Sequence, residues 1–443
     1  MASAQVNVSP PENELKDVLT ALRTENPTLG VPKLHALLLA AHPEWAVSEK
    51  RTRKILQSQG LILNAQAGQQ LGDAKVERVP YPKSKLIEGL DVSKFTTKIE
   101  VKYFGKPKGK GLVAVEKLSE GDTIWKEDHF ILAPEWDIYD LQMSSLSCMH
   151  CSTPLSGSSL VTSCSGSSSF PSCPAKFCSR LCLTRSARTH PLLCRARNPA
   201  SFPLLDFARK NEWMTLHALA QCAARLLLDS QQDEAAFEAE LDIIRSFAQL
   251  GMEERAKHAS LPGSEPDRAT WRKAFQLFVQ AFREPTNDTN RKKLSKLLKR
   301  PVPKEALEDF FEYDAFLWGL GRMNLTMSII DLEAHGGLYV LHSHLNHSCS
   351  PNVSVRHLDQ RTALSKITLI ARRDIQPGEE LFITYVNPVL SLQERRSQLL
   401  EWGFGVCNCE RCSMEEQDPS LARPDKAELD DLEKELKAGL GVM

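Results

Sequence analysis

No stretch of the 443-residue chain approaches the roughly 18 consecutive apolar residues that cross a bilayer, which excludes a helical membrane span. Neither sign of charge dominates. The 55 Lys and Arg stand against 56 Asp and Glu, a formal net charge of -1, so the surface as a whole is no electrostatic trap for nucleic acid or anionic membrane. The opening MASAQVNVSPPENE has neither a basic start nor an apolar core, so no secretory signal is expected and the thiols are expected to be reduced. Cysteine is scarce for a disulfide scaffold: 12 in 443 residues, far below the roughly 8–10% of such frameworks. No internal repeat is present. What remains is an ordinary globular composition, 42% hydrophobic and 25% charged, long enough for about three domains at roughly 150 residues each.

The few cysteines are unevenly placed. Seven fall at 148, 151, 164, 173, 178, 182 and 194; Cys349 stands apart; Cys407, Cys409 and Cys412 close a C-terminal knot; Cys222 sits alone in an apolar helical stretch. In a reducing compartment, knuckle-spaced thiolates read as tetrahedral zinc sites, the other reading being buried free thiols. His190, in H-x3-C register with Cys194, completes eight ligands for two ions. The order C148-x2-C151, Cys164 and Cys173, C178-x3-C182, H190-x3-C194 resembles a MYND finger, in which the first and third pairs share one ion and the second and fourth the other. The second pair departs from that pattern, because SGSSSFPS separates Cys164 from Cys173.

Residues 12–62 carry apolar side chains at i, i+3, i+4 spacing in three runs, predicting three short helices, with Ser48 as N-cap and Gly60 after the last. GVPKLHALL with SEKRTRKIL weakly resembles transposase helix-turn-helix modules, for which Lys50, Arg51, Arg53 and Lys54 would touch phosphates. The other reading is a solvated basic helix in a protein-interaction module. Residues 63–95 read as a linker rich in Gly, Gln and Pro, and short alternating runs after it read as strands. Residues 200–320 read as helical. Within them RKKLSKLLKR carries six basic residues in ten, either a nuclear-import or nucleic-acid patch or a charged helix face with Leu294, Leu297 and Leu298 turned inward.

Four ordered motifs complete the pattern: G109-K-G-L112, N346-H-S-C-S-P-N352, G378-E-E-L-F-I-T-Y385 and W402-G-F-G-V-C-N-C-E-R-C412. Together they resemble the SET domain of protein lysine methyltransferases, interrupted by a MYND finger, across roughly residues 95–415. The fungal histone H4 lysine methyltransferase group is similar also over GVPKLHALL and LHSHLNHSC. The resemblance implies an α+β fold: a SET β-fold split by a MYND zinc finger and a helical insert, with a post-SET zinc knot and an N-terminal helical module. The expected segments are 12–62 helical module, 63–95 linker, 96–147 SET first part, 148–194 finger, 195–320 helical insert, 321–387 SET second part, 388–415 post-SET and 416–443 acidic helical tail.

The implied cofactor is S-adenosylmethionine, held at Gly109, Lys110, Gly111, Leu112, Asn346, His347 and Tyr385. Tyr385 matches the family's catalytic tyrosine, and Glu380 a supporting acid. Tyr339, Trp402 and Phe404 are candidates for an aromatic wall around the substrate lysine, each with core packing as the alternative, and Met323 and Asn324 are expected to border the cofactor. Cys349, Cys407, Cys409 and Cys412 would bind a third structural zinc. The implied activity is lysine N-methylation, on histone tails with histone H4 foremost, or on a non-histone protein. The contrasting reading is a MYND-based chromatin adaptor with an inactive SET platform. Proline-rich peptide at the finger and nucleic acid at the N-terminal module are the expected further partners. A histone substrate and the lack of a targeting signal imply nucleus and cytoplasm.

Overall fold

The computed structural model describes residues 9–26, 31–58, 82–105, 108–258, 267–327, 336–357 and 365–418. The chain divides into two compact units, residues 1–77 and 78–443. In the first, α1 (Glu12–Glu25), α2 (Val31–Ala41) and α3 (Glu49–Ser58) close on a small core of Leu15, Leu19, Leu34, Leu38 and Leu56. The Ser48 hydroxyl caps α3 by accepting from Arg51 N–H at 3.3 Å. Gly60 lies outside the described residues.

In the second unit, β1 (Ile99–Tyr103), β2 (Lys110–Ala114), β3 (Thr123–Glu127), β4 (Ile131–Leu132) and α4 (Trp136–Met143) lead into the cysteine-rich segment. That segment holds only β5 (Thr162–Ser163), β6 (Lys176–Phe177), α5 (Arg180–Ser186) and α6 (His190–Leu193). A helical block follows: α7 (Phe202–Lys210), α8 (Met214–Asp229), α9 (Glu234–Ser246), α10 (Met252–His258), α11 (Arg268–Phe282), α12 (Asp288–Leu297), α13 (Lys304–Phe310) and α14 (Tyr313–Met327). Then come β7 (Gly337–Leu338), β8 (Asn346–His347), β9 (Val353–Arg356), β10 (Ile367–Ala371), β11 (Phe382–Ile383), α15 (Leu392–Glu401) and α16 (Glu410–Gln417).

The sheets are small: β1–β2 and β4–β7 antiparallel, β3–β10–β9, and a parallel β8–β11 pair that joins Asn346 to Phe382 and His347 to Ile383. β4–β7 and β3–β10 each pair a strand before the helical block with one after it, so the block is an insertion into one β-fold. Alternating apolar residues, Leu112, Ile124, Leu369, Ile383 and their neighbours, form the β core, while the amphipathic helices pack a separate core around Leu219, Phe278, Phe316 and Leu320. Leu294 is buried and Leu297 and Leu298 are partly buried there, so the basic run is a charged helix face over an apolar seam.

Two segment readings need adjustment. The helical region continues past residue 320 to Met327, because Gly319 and Gly321 serve close packing and do not end it. A Cβ at Gly319 would lie 2.9 Å from Leu219, and one at Gly321 only 1.9 Å from the Leu250 carbonyl oxygen. Gly321→Ala is therefore expected to lower stability by about 2–3 kcal/mol, read as a reduced Tm in thermal unfolding. The second adjustment concerns the linker, whose later part is docked. Lys83 bridges Gln249, Lys85 N–H donates to the Ser246 carbonyl at 3.3 Å, and Phe95 packs against the β core. Residues 63–81 of that linker and 419–443 of the expected tail lie outside the described residues.

Candidate active site

The site begins with a backbone turn. Gly109 adopts φ +74°, a conformation L side chains rarely take, and Gly111 follows with no room for a side chain. A Cβ there would meet the Phe104 ring at 2.6 Å and both Asn346 Nδ2 and Glu380 Oε1 at 2.9 Å. The three motifs thus converge on one glycine. Asn346 Nδ2 donates to the Lys110 carbonyl and to Glu380 Oε1, both at 2.9 Å. Glu380 also pairs with Lys108, whose ammonium lies 4.5 Å from the Phe104 centroid and 5.2 Å from that of Phe382.

Asn352 holds this arrangement from behind. It is 1% exposed, donates to the Glu380 carbonyl at 2.8 Å and accepts from Phe382 N–H at 2.7 Å, replacing a strand partner. β11 then delivers Tyr385, whose hydroxyl donates to the Leu345 carbonyl at 2.6 Å and whose ring lies 4.9 Å from Phe404 and 5.3 Å from His347. Tyr385 N–H donates to His347 Nδ1 at 2.9 Å, which leaves the imidazole proton on Nε2, 3.3 Å from Cys349 Sγ.

A SET-domain family model matches residues 109–386. The chain belongs to the SET-domain family. The enzyme class follows with it, a protein-lysine N-methyltransferase. The histone-lysine N-methyltransferase SET5 of Yarrowia lipolytica is 32% identical over 88% of this chain and 78% of its own length. SET5 of Scheffersomyces stipitis is 29% identical over 91% of this chain and 81% of its own. Among solved structures, the SET domain of LSMT bound to lysine and AdoHcy aligns with 74% of this chain and 59% of that one, at 13% identity and a TM-score of 0.34.

Within the SET fold, several expected site residues are placed differently from the sequence reading. Lys110 contributes its carbonyl only: its side chain is buried on the other face of β2, with Nζ 3.0 Å from the Ser246 carbonyl and 3.5 Å from Ser343 Oγ, and burial pushes its pKa down to about 7. Leu112 likewise offers backbone, accepting from Leu381 N–H at 2.9 Å, while its side chain fills the β core. Tyr339 is corrected from channel wall to core residue, since it is 1% exposed and its hydroxyl donates to the Ser365 carbonyl at 2.5 Å. Met323 is buried in the helical core beside Cys222, and Asn324 donates to Met252 Sδ at 3.1 Å, so both belong to the insert. Trp402 is half-buried beneath the Arg255 guanidinium, 3.8 Å from its centroid. Of the aromatic candidates, Phe404 is the one with a recorded ring contact to Tyr385.

The cysteines gather as three sets, each with ligand atoms within 4.8 Å of one another: Cys148, Cys151, Cys178 and Cys182; Cys164, Cys173, His190 and Cys194; Cys349, Cys407, Cys409 and Cys412. Four thiolates at about 2.3 Å from zinc stand about 3.8 Å apart along a tetrahedron's edges. Here Cys151–Cys178 is 3.7 Å, Cys182–Cys151 3.8 Å, Cys164–Cys194 3.9 Å and Cys349–Cys407 4.0 Å. The donor sets therefore fit the metal in number, softness and spacing, and Cys164 takes its place despite the long SGSSSFPS insert. In the N-terminal unit two of the four expected phosphate contacts are engaged internally. Arg51 donates to Ser9 Oγ at 2.7 Å and the Pro10 carbonyl at 2.9 Å, and Arg53 pairs with Glu49 at 3.3 Å.

A buried acid that sequence reasoning missed positions the segment before Asn346. Glu127, 3% exposed, accepts from Trp125 Nε1 at 3.1 Å, Leu341 N–H at 2.8 Å and His342 N–H at 3.1 Å. Burial raises its pKa to about 7 against those hydrogen bonds. With the folded pKa above the unfolded one, the native state binds the extra proton between about pH 4.5 and 7, and Glu127's contribution to stability declines as pH rises through that window. Glu127→Gln is expected to flatten the pH dependence of unfolding there, and urea midpoints with an unchanged slope against pH would contradict the assignment.

Proposed function

We propose that the chain transfers methyl groups from S-adenosylmethionine to lysines of histone tails, as its histone-lysine methyltransferase relatives favour, histone H4 being the substrate that the sequence resemblance adds. The observation that carries this reading is the convergence of the three motifs on Gly111, where Phe104, Asn346 and Glu380 pack directly against bare backbone and fix a polar edge beside the Gly109 turn. S-adenosylmethionine supplies the electrophilic methyl on its sulfonium. Asn346, fixed by the Lys110 carbonyl and Glu380, presents a preset polar edge; Gly109 and His347 complete the lining.

The target lysine enters as an ammonium of pKa near 10.4 and must lose a proton before its lone pair can attack. Passage alongside the Tyr385–Phe404 ring pair strips water from the amine, which lowers that pKa and removes the need for a dedicated base. Tyr385, whose hydroxyl hydrogen is engaged by the Leu345 carbonyl, keeps its oxygen lone pairs to orient the amine and the methyl hydrogens. Catalysis then rests on alignment and preset charge.

We infer further that residues 148–194 form a MYND-type finger with two structural zincs and that Cys349 with the C-terminal knot holds a third. Full tetrahedral sets leave no open position, so each ion is structural. A proline-rich peptide is the partner such a finger would take, and a histone substrate places the enzyme in the nucleus as well as the cytoplasm.

Transfer of tritiated methyl from S-adenosylmethionine to recombinant core histones tests the reading. Label in the H4 band is expected. Label only in lysate proteins would move the substrate to a non-histone protein, and no label despite bound cofactor would leave an adaptor. Gly111→Ala, by pushing Phe104 and Asn346 apart, is expected to weaken cofactor binding about thirtyfold or more in calorimetry, roughly 2 kcal/mol.

A further inference from the structure

A cavity of about 80 Å³ lies apart from the Gly111 turn, walled by the Phe130–Leu132 segment, α4, α5, α6 and α8. None of Gly109, Gly111, Asn346, His347 or Tyr385 lines it. One water needs roughly 10–15 Å³ on the same measure, so the space accepts a group of several heavy atoms.

Its walls have two characters. Phe130, Ile131, Leu193 and Leu205 make an apolar body, and Arg185, Arg188, Arg195 and Arg225 bring positive charge. Three of these arginines are answered: Arg188 by Asp229 and Glu240, Arg225 by Glu240, and Arg185 by Asp128. Arg195 has no carboxylate partner among the described residues. Its guanidinium lies 4.4 Å from the Phe202 centroid and its Nε is buried without an acceptor. One cation is left over beside an apolar space.

His217 supplies a second, independent sign. It is 3% exposed, stacked on Trp136 and edge-on to Tyr139, and it lines the cavity. Gln221 Nε2 donates to its Nε2 at 3.2 Å, so the ring proton sits on Nδ1, which has no partner among the described residues. Buried N–H groups left unpaired are rare in native folds, and this one belongs to a residue of the cavity wall. An unpaired cation and an unpaired donor around an apolar space ask for an anion with an apolar body and reject an ammonium.

We propose that this cavity binds an apolar carboxylate, of aromatic or branched-aliphatic body, whose oxygens meet Arg195 and the free N–H of His217. The carboxylate belongs either to a free small acid or to the C-terminal residue of a peptide. The site shares no residue with the Gly109–Gly111 turn, and its occupant would clamp α5 and α6 to α8.

Ligand-observed NMR and calorimetry on the full, zinc-loaded chain provide the test, with phenylacetate, 3-phenylpropionate and 4-phenylbutyrate, each beside its primary amide. At least one acid is expected to bind below about 1 mM, with its amide about tenfold weaker or worse. Arg195→Met should weaken the acid about tenfold while cofactor affinity and zinc content stay unchanged, and Arg195→Lys should restore part of the loss. The tripeptide Ala-Ala-Phe with a free terminus, binding tighter than the free acids, would support the peptide source; weaker binding would support the small acid. Three results would overturn the proposal: no acid binding at about 5 mM, equal binding of acid and amide, or unchanged acid affinity in Arg195→Met.

Discussion

Tyr385→Phe is expected to lower kcat for methyl transfer about a hundredfold or more while leaving cofactor affinity within about threefold, the split that marks a group acting in the transition state. The ring stays, because its contacts with Phe404 and His347 do not involve the hydroxyl. The backbone stays too, because Tyr385 N–H remains on His347 Nδ1. Only the oxygen goes, and with it the hydrogen bond to the Leu345 carbonyl. Losing that acceptor's partner costs about 1–2 kcal/mol of stability, small beside the effect on rate. Single-turnover labelling of H4 with wild type and variant at matched cofactor occupancy decides the point. A variant with unchanged single-turnover rate would return Tyr385 to the β core.

What the sequence made legible, and what it hid, follows from how each feature is encoded. Candidate zinc ligands are written in spacing, since a tetrahedron built from short knuckles tolerates few registers, and the thiols and His190 gather in the interleaved pairing of first with third and second with fourth. The motifs at Gly111, Asn346 and Glu380 were legible as motifs. Which atom of each residue does the work was not. Successive residues on a strand face opposite ways, so Gly111 opens toward Asn346 while Lys110, one position earlier, sends its ammonium to Ser246 and Ser343. Motif order alone could not reveal that.

Tyr339 and Met323 failed for a related reason. Proximity in sequence to LHSHLNHSC or GRMN does not say whether a side chain faces a cleft or the packed interior, and both are essentially fully buried. Glu127 was invisible because an acid in a strand such as TIWKE reads as surface, and the amides that hold it belong to Leu341 and His342, in the half of the β-fold beyond the insert. The later part of the linker was misread on composition: Lys83 and Lys85 look solvated, yet their backbone groups pair with residues of the helical block. In each case the missing information is a contact made at long sequence separation.

With the three proposed zinc sites filled, Cys412→Ser is expected to reduce bound zinc from three ions to two and to lower methyl transfer at least about a hundredfold, although Cys412 lies far along the chain from Gly111. The chain of contacts is short. Cys412 is fully buried, with Sγ 3.5 Å from Cys349 Sγ, and Cys349 lies 3.3 Å from His347 Nε2. A thiolate at Cys349 accepts a hydrogen bond from Nε2–H, which keeps Nδ1 as the acceptor for Tyr385 N–H. On the proposed three-zinc reading, loss of that ion would leave Cys349 a protonated thiol and the imidazole without a charged partner, so the tautomer that holds Tyr385 would lose one of its two supports. Arg395 adds to the dependence. Its guanidinium is wholly buried, 3.8 Å from Cys412 Sγ and paired with Glu415 at 2.5 Å, so it offsets the negative charge of a four-thiolate site. Measuring zinc by mass spectrometry beside single-turnover methylation separates this from general unfolding, because the two finger ions should remain. Loss of one zinc with full activity would show that Tyr385 is held by the β8–β11 pairing alone.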